Sequence, residues 1–167
     1  SRGGEKLEGA FSSFDLDVNG LICLDVGAST GGFTDCLLQH GAAKVYAIDV
    51  GKGLLHWKLR NDPRVVVMEK INARYIVPES LPEKPAVAVI DVSFISLTKI
   101  LPAVTNVVAK GAVIVTLIKP QFEAGREKVG KGGVVRDPGV RSAVVEEIRR
   151  FGENQLRLEF VGVCESP

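Results

Sequence analysis

Four apolar runs of this chain lead into a charged residue. Leu21–Leu24 ends at Asp25, Val45–Ile48 at Asp49, Ala86–Ile90 at Asp91 and Ala112–Ile118 at Lys119. A charge in a turn is by default a solvated surface residue, but four of them closing four successive runs ask for a joint explanation. A carboxylate at Asp49, some twenty residues past a glycine turn, suits the diol of a ribose. Asp25 suits the far end of the same nucleoside ligand. Asp91 and Lys119 remain as candidates for chemistry, in the settings Asp91-Val92-Ser93-Phe94-Ile95-Ser96-Leu97 and Leu117-Ile118-Lys119-Pro120-Gln121-Phe122-Glu123.

The turn that would hold such a ligand is Gly27-Ala28-Ser29-Thr30-Gly31-Gly32-Phe33. Small residues let a ligand lie against backbone N–H groups at the start of a helix. A dinucleotide fingerprint would place glycines at 27, 29 and 32. Ser29 stands at the middle position, where a side chain crowds a pyrophosphate. S-adenosylmethionine has a ribose and an adenine and no pyrophosphate, so it fits better. The expected contacts are Asp25, Gly27, Ala28, Ser29, Thr30, Gly32 and Phe33 around its methionine end, and Asp49 and Val50 at the ribose. Asp91 sits near the methyl, and Asn72 at the adenine edge. For Asn72 a plain turn residue is the competing reading.

These residues need a scaffold that gathers strand ends. Apolar runs at 21–24, 44–48, 65–68, 86–90, 112–118 and 156–163 read as six strands. Helical patterns cover 4–12, 30–39, 54–59, 97–109 and 137 to about 151, the last opened by Pro138 and closed by Gly152. Between 120 and 136 lies a long irregular loop. The alternation implies an α/β fold with a mostly parallel, doubly wound, Rossmann-like sheet, which with S-adenosylmethionine as the ligand would be of the S-adenosylmethionine-dependent methyltransferase type. Its carboxyl edge would align Asp25, Asp49, Asp91 and Lys119.

Composition sets the bounds. The 167 residues are 46% hydrophobic and 25% charged with net charge +1, enough for one domain with a sizeable core. No apolar run approaches the roughly 20 residues of a membrane span, and no signal peptide is evident. Cys23, Cys36 and Cys164 form no C-x-x-C pair and suggest reduced, buried thiols in a cytoplasm. His40, before Gly41, reads as a helix C-terminal residue, and no metal site is expected. The segment 119–136 carries Lys119, Arg126, Lys128, Lys131 and Arg136 against Glu123 and Glu127. It is either a solvated loop or one that meets phosphates. Trp57 and Phe122 are candidates to stack on a base, with a core or rim position the simpler reading.

Six blocks carry a family resemblance. They are Ser-Arg-Gly-Gly-Glu-Lys-Leu at 1–7, Leu-Asp-Val-Gly-Ala-Ser-Thr-Gly-Gly-Phe-Thr-Asp at 24–35 and Tyr-Ala-Ile-Asp-Val-Gly at 46–51. The others are Asp-Val-Ser-Phe-Ile-Ser-Leu at 91–97, Ile-Lys-Pro-Gln-Phe-Glu-Ala-Gly at 118–125 and Lys-Gly-Gly-Val-Val-Arg-Asp at 131–137. In this order they resemble the TlyA (hemolysin A) family of ribosomal-RNA 2′-O-methyltransferases, whose catalytic domain is FtsJ-like. The resemblance implies a cytoplasmic enzyme that takes S-adenosylmethionine and acts on ribosomal RNA or ribosomal subunits. It also implies a Lys-Asp-Lys-Glu catalytic set, with Lys6, Asp91 and Lys119 as its first three members. The glutamate's motif opens with a Ser-Pro step, and this chain stops at Ser166-Pro167. Residues 1–167 are therefore expected to be the methyltransferase domain of a longer chain, without the family's N-terminal S4 domain and extreme C-terminus. In these roles Lys119 orients the ribose hydroxyl and, with a lowered pKa, takes its proton. Asp91 orients the lysine, and Lys6 positions the hydroxyl or a phosphate. Two other readings compete. One is a membrane-active hemolysin, which the absence of a spanning segment or a basic amphipathic helix opposes. The other is an NAD- or nucleotide-binding protein, which Ser29 and Lys119-Pro120 oppose.

Overall fold

The computed structural model describes residues 2–167; Ser1, the first residue of the opening motif, lies outside the described residues. In chain order the elements are α1 (Arg2–Phe14), β1 (Ile22–Val26), α2 (Gly32–Gln39), β2 (Lys44–Ile48), α3 (Trp57–Arg60), β3 (Val65–Met68), β4 (Val87–Ile90), α4 (Leu97–Val107), β5 (Val113–Thr116), α5 (Pro120–Glu123) and α6 (Pro138–Leu156). The five strands form one sheet in the order β3-β2-β1-β4-β5, every pair parallel. The expected doubly wound α/β fold is the observed one.

Each strand side builds its own core, because successive side chains point to opposite faces. Cys23, Val45, Ala47, Val87 and Val89 face α1 and α2, packing with Leu7, Phe11, Phe33 and Leu37. Leu24, Val26, Tyr46, Ile48, Ala88 and Ile90 face α4 and α6, packing with Leu97, Ile100, Leu101, Val104 and Ile148. Strands buried on both faces need nearly continuous apolar sequence, which is why the runs were readable. Ser96 starts α4, its hydroxyl accepting from Thr98 N–H at 3.2 Å, and Asp137 starts α6 by accepting from Gly139 N–H at 2.8 Å.

Four expectations need correction. Residues 156–163 form no strand. Leu156 ends α6, Arg157 turns the chain in the left-handed conformation (φ 56°), and Leu158 N–H donates to Gly152 O. That turn sends the tail towards α1, where Gly162 lies against Phe14 and Pro167 against Gly9, instead of into a ladder with β5. Gly152 does not close α6. It is a buried interior residue under Leu158, and the Arg149–Glu153 pair (2.6 Å) spans it. A glycine costs only about 1 kcal/mol in a helix interior, which such contacts offset. Cys164 is exposed, whereas Cys23 and Cys36 are buried as expected. The segment 120–136 is not structureless: it holds α5 and two short 3₁₀ turns.

Candidate active site

The cleft lies at the carboxyl edge of the sheet, against the turn between β1 and α2. Arg2, Gly3 and Lys6 of α1 line one side, Gly27–Thr30 with Gly32 and Phe33 the floor, and Asp91 the far side. Gly27 fixes this arrangement. Its φ is +83°, and a Cβ there would meet the Asp91 carbonyl oxygen at 2.1 Å. Only a glycine gives both that dihedral and that approach, so the turn and the Asp91 strand end touch through bare backbone.

The turn is bound internally more than expected. Gly27 and Ala28 N–H both donate to Ile48 O at 2.9 Å, and Ser29 N–H donates to Asp49 Oδ2 at 2.7 Å. Its N–H groups at 27–29 are therefore not free for a ligand, and the turn leaves room for one through the small size of its residues. Asp49 also accepts from Gly51 N–H at 2.8 Å. Its two oxygens are thus oriented at the lip of a smaller recess lined by Ala28, Ser29, Gly51, Leu54, Leu55 and Glu69, each keeping a lone pair. Val50, beside it, is 70% exposed.

Asp25 is where the sequence reading places a ligand contact, and the structure departs from it. The residue is wholly buried on the α1/α2 side of the sheet, where its Oδ2 accepts from Thr34 Oγ1 at 2.7 Å and its Oδ1 has no partner. It ties α2 to β1 and does not line the cleft. Burial pushes its carboxyl up to about 7, against the lowering effect of the Thr34 hydroxyl, with Asp91 and Asp49 adding to the rise. Asn72 is also outside the cleft lining: its Oδ1 accepts from Arg74 N–H at 3.0 Å and caps the following turn.

Asp91 and Lys119 do meet. Lys119 Nζ lies 2.6 Å from Asp91 Oδ1 and donates to Ser93 Oγ at 2.9 Å, with both charged side chains three-quarters or more buried. The ammonium keeps a third donor. Lys6 lines the same cleft from α1 and has no ion-pair or hydrogen-bond partner among the described residues. Three of the residues expected to act together are thus delivered by β4, β5 and α1.

Two further residues were not singled out in the sequence. Phe94 is 89% exposed, adopts φ 63°, and sets its ring 4.9 Å from that of Phe122. A bulky side chain in the left-handed region is strained, and strain of this kind concentrates at functional sites. Glu123 accepts from Ser96 Oγ (2.5 Å) and Leu97 N–H (2.8 Å), and so joins the Lys119 segment to the start of α4. Trp57 is exposed and stacked beside His56, and lines neither the cleft nor the smaller recess.

Comparison with known proteins places this geometry. The model of the FtsJ-like methyltransferases matches residues 1–167. A Mycobacterium tuberculosis protein named 16S/23S rRNA (cytidine-2′-O)-methyltransferase TlyA is 52% identical over 167 residues, all of this chain and 62% of its own length. Hemolysin A of Brachyspira hyodysenteriae is 56% identical over 146 residues, 87% of this chain and 61% of that one. A solved Lactococcus lactis structure, named provisionally as a hemolysin, superposes with a TM-score of 0.88 at 52% identity, covering 91% of this chain and 73% of that one. The chain spans about three-fifths of the length of the first two relatives. With the whole chain matched and the cleft assembled from the matched blocks, the chain belongs to the FtsJ-like methyltransferase family and groups within it with the TlyA and hemolysin A proteins.

Proposed function

We propose that this chain is the catalytic part of an S-adenosylmethionine-dependent enzyme that methylates ribose 2′-hydroxyls of ribosomal RNA in the cytoplasm. The observation that carries the reading is that Asp91, which pairs with Lys119 beside Ser93, lines the same cleft as Lys6 and the Gly27 turn. The cleft fits the cofactor: the turn offers backbone without side chains, and the Asp49 oxygens keep lone pairs for a diol. Gly27, Ala28, Ser29, Thr30, Gly32 and Phe33 would hold its methionine end, with Asp49 and Val50 at the ribose. When bound, S-adenosylmethionine supplies an electrophilic methyl on a sulfonium.

The residues of the chain do the rest. Lys119 would direct its remaining N–H at the ribose oxygen and hold that oxygen in position for attack, and such positioning supplies much of the rate. Lys6 steadies the hydroxyl or its neighbouring phosphate from the opposite wall. With the cofactor bound, the hydroxyl proton would pass to the Asp91–Lys119 pair, which would then carry one more positive charge. Phe94, exposed three residues after Asp91, would offer a face for the substrate base, and the basic loop from Arg126 to Arg136 would offer phosphate contacts.

The test is transfer of tritium-labelled methyl groups to ribosomal subunits by the natural full-length protein, with nuclease mapping of the product. Label on a ribose 2′-oxygen supports the reading; label on a base, or none, overturns it. The name of the 56% identical relative favours a second reading, a membrane-active protein. Among the described residues no helix is long and apolar enough to cross a membrane, and red-cell leakage independent of cofactor would favour that reading over ours.

A further inference from the structure

Between α1 and α2, towards the end of α2 away from the cleft-lining Gly32 and Phe33, three side chains of different chemistry converge. We propose that Glu8, Cys36 and His40 bind a thiophilic divalent cation, zinc foremost, which clamps α1 to the end of α2. This departs from the expectation of a chain without a metal site, and it stands apart from the methyl-transfer reading, since none of the three lines the cleft.

The convergence follows from the fold. Cys36 and His40 are four residues apart at the end of α2, so they share one face. Glu8 comes from the middle of α1, which packs on that face through Leu7, Ala10 and Phe11. Glu8 Oε1 lies 2.6 Å from His40 Nε2 and 3.3 Å from Cys36 Sγ, and the three ligand atoms all fall within 4.8 Å of one another. The imidazole is held for this: its ring stacks flat on Phe11, centroids 3.7 Å apart and planes 3° from parallel. Cys36 is buried, whereas Glu8 is exposed and His40 half-buried, so the cluster has an apolar floor and an open approach.

One sulfur, one imidazole nitrogen and one carboxylate oxygen suit zinc and argue against magnesium or calcium, which take oxygen ligands. Three protein ligands leave the fourth tetrahedral position to water. Tetrahedral zinc separates its ligand atoms by roughly 3.3–3.7 Å, so the Glu8–His40 hydrogen bond must open by about 1 Å. The Glu8 side chain, half-exposed, supplies that movement. A Zn–S bond forms as the Cys36 S–H bond breaks, and the proton leaves to solvent. His40 binds through Nε2 with its proton on Nδ1. Because Lys6 lies two residues before Glu8 on α1, the clamp would also steady the helix that carries it.

The test uses the natural full-length protein, freed of metal by a chelator and titrated with cobalt(II) and zinc(II). The expected result is one cobalt per chain with a thiolate-to-cobalt charge-transfer band and tetrahedral visible bands, both displaced by zinc, and a zinc-dependent rise in Tm. Cys36→Ser should remove the charge-transfer band, and Cys164→Ser should leave it. Because Cys36 is buried, the rim variants Glu8→Gln and His40→Gln carry the same question without disturbing the core. Each should weaken zinc binding at least tenfold while keeping the circular dichroism of the parent. Absence of the band, its loss with Cys164→Ser, or unchanged affinity in both rim variants would show that the three residues are only a hydrogen-bonded contact between helices.

Discussion

At the scale of single residues the proposed roles separate binding from chemistry. Lys119→Ala and Asp91→Ala should abolish methyl transfer by the full-length protein and leave its melting transition near that of the parent, since both sit beyond strand ends and outside the two cores. Near-normal turnover on ribosomal subunits by either variant would remove that residue from the mechanism. Asp49→Ala should weaken binding of S-adenosylmethionine by about 1–3 kcal/mol in calorimetry, since a charged acceptor is lost. Asp25 carries a pH signature. Its carboxyl titrates near 7 in the folded chain and near 3.8 when unfolded. Between those values the folded state holds the extra proton, so stability is full below about 4 and falls as pH rises towards 7. Asp25→Asn should remove that slope, and Tm measured across pH 4–8 for both proteins checks it. Asp49, Asp91 and Lys119 were legible because each ends an apolar run. The burial of Asp25 was not, because an acid inside a strand and one at its exposed end look alike until the facing helix is known. Phe94 was missed for a related reason: nothing in its neighbours announces a left-handed phenylalanine.

At the scale of elements, the two loops that carry the proposed catalytic pair are joined through a short helix. Glu123 of α5 accepts from Ser96 and from Leu97 N–H at the start of α4, which ties the Lys119 segment to the end of the Asp91 loop. Glu123→Ala should leave cofactor affinity unchanged and lower kcat more than it raises KM, with partial rescue by Glu123→Gln. Equal losses in cofactor binding and turnover would point to general unfolding of the region. Gly27→Ala should do the reverse and block cofactor binding, because its Cβ would strike the Asp91 carbonyl. Strands β2 and β3 were legible to the residue because they are continuous apolar runs bounded by charges and turns. The supposed sixth strand shows the limit of that signal. An alternating run becomes a strand only where a ladder partner is in reach, and the left-handed turn at Arg157 carries this one elsewhere. Gly152 likewise read as a stop, because the packing that lets α6 run through it is tertiary.

At the scale of the whole molecule, the chain holds the cleft but only part of the length of its relatives. Residues 1–167 alone should bind S-adenosylmethionine and transfer little methyl to ribosomal RNA. The exposed basic loop offers few phosphate contacts, each sensitive to salt. The full-length protein should bind subunits more tightly and with a steeper dependence on salt. Efficient methylation by the 167-residue chain would overturn the four-residue catalytic set that the resemblance implies. The strand order has a consequence in time. β1 sits between β2, which follows it closely, and β4, which begins about sixty residues later. As the chain leaves the ribosome at about 5–20 residues per second, β1, β2 and β3 can pair while β4 is still inside the exit tunnel. For some seconds the nascent protein has the Gly27 turn and Asp49 but neither Asp91 nor Lys119. Each new molecule therefore builds the β1–β3 half of the cleft, with the Gly27 turn and Asp49, before Asp91 arrives to close its far side and Lys119 to pair with it.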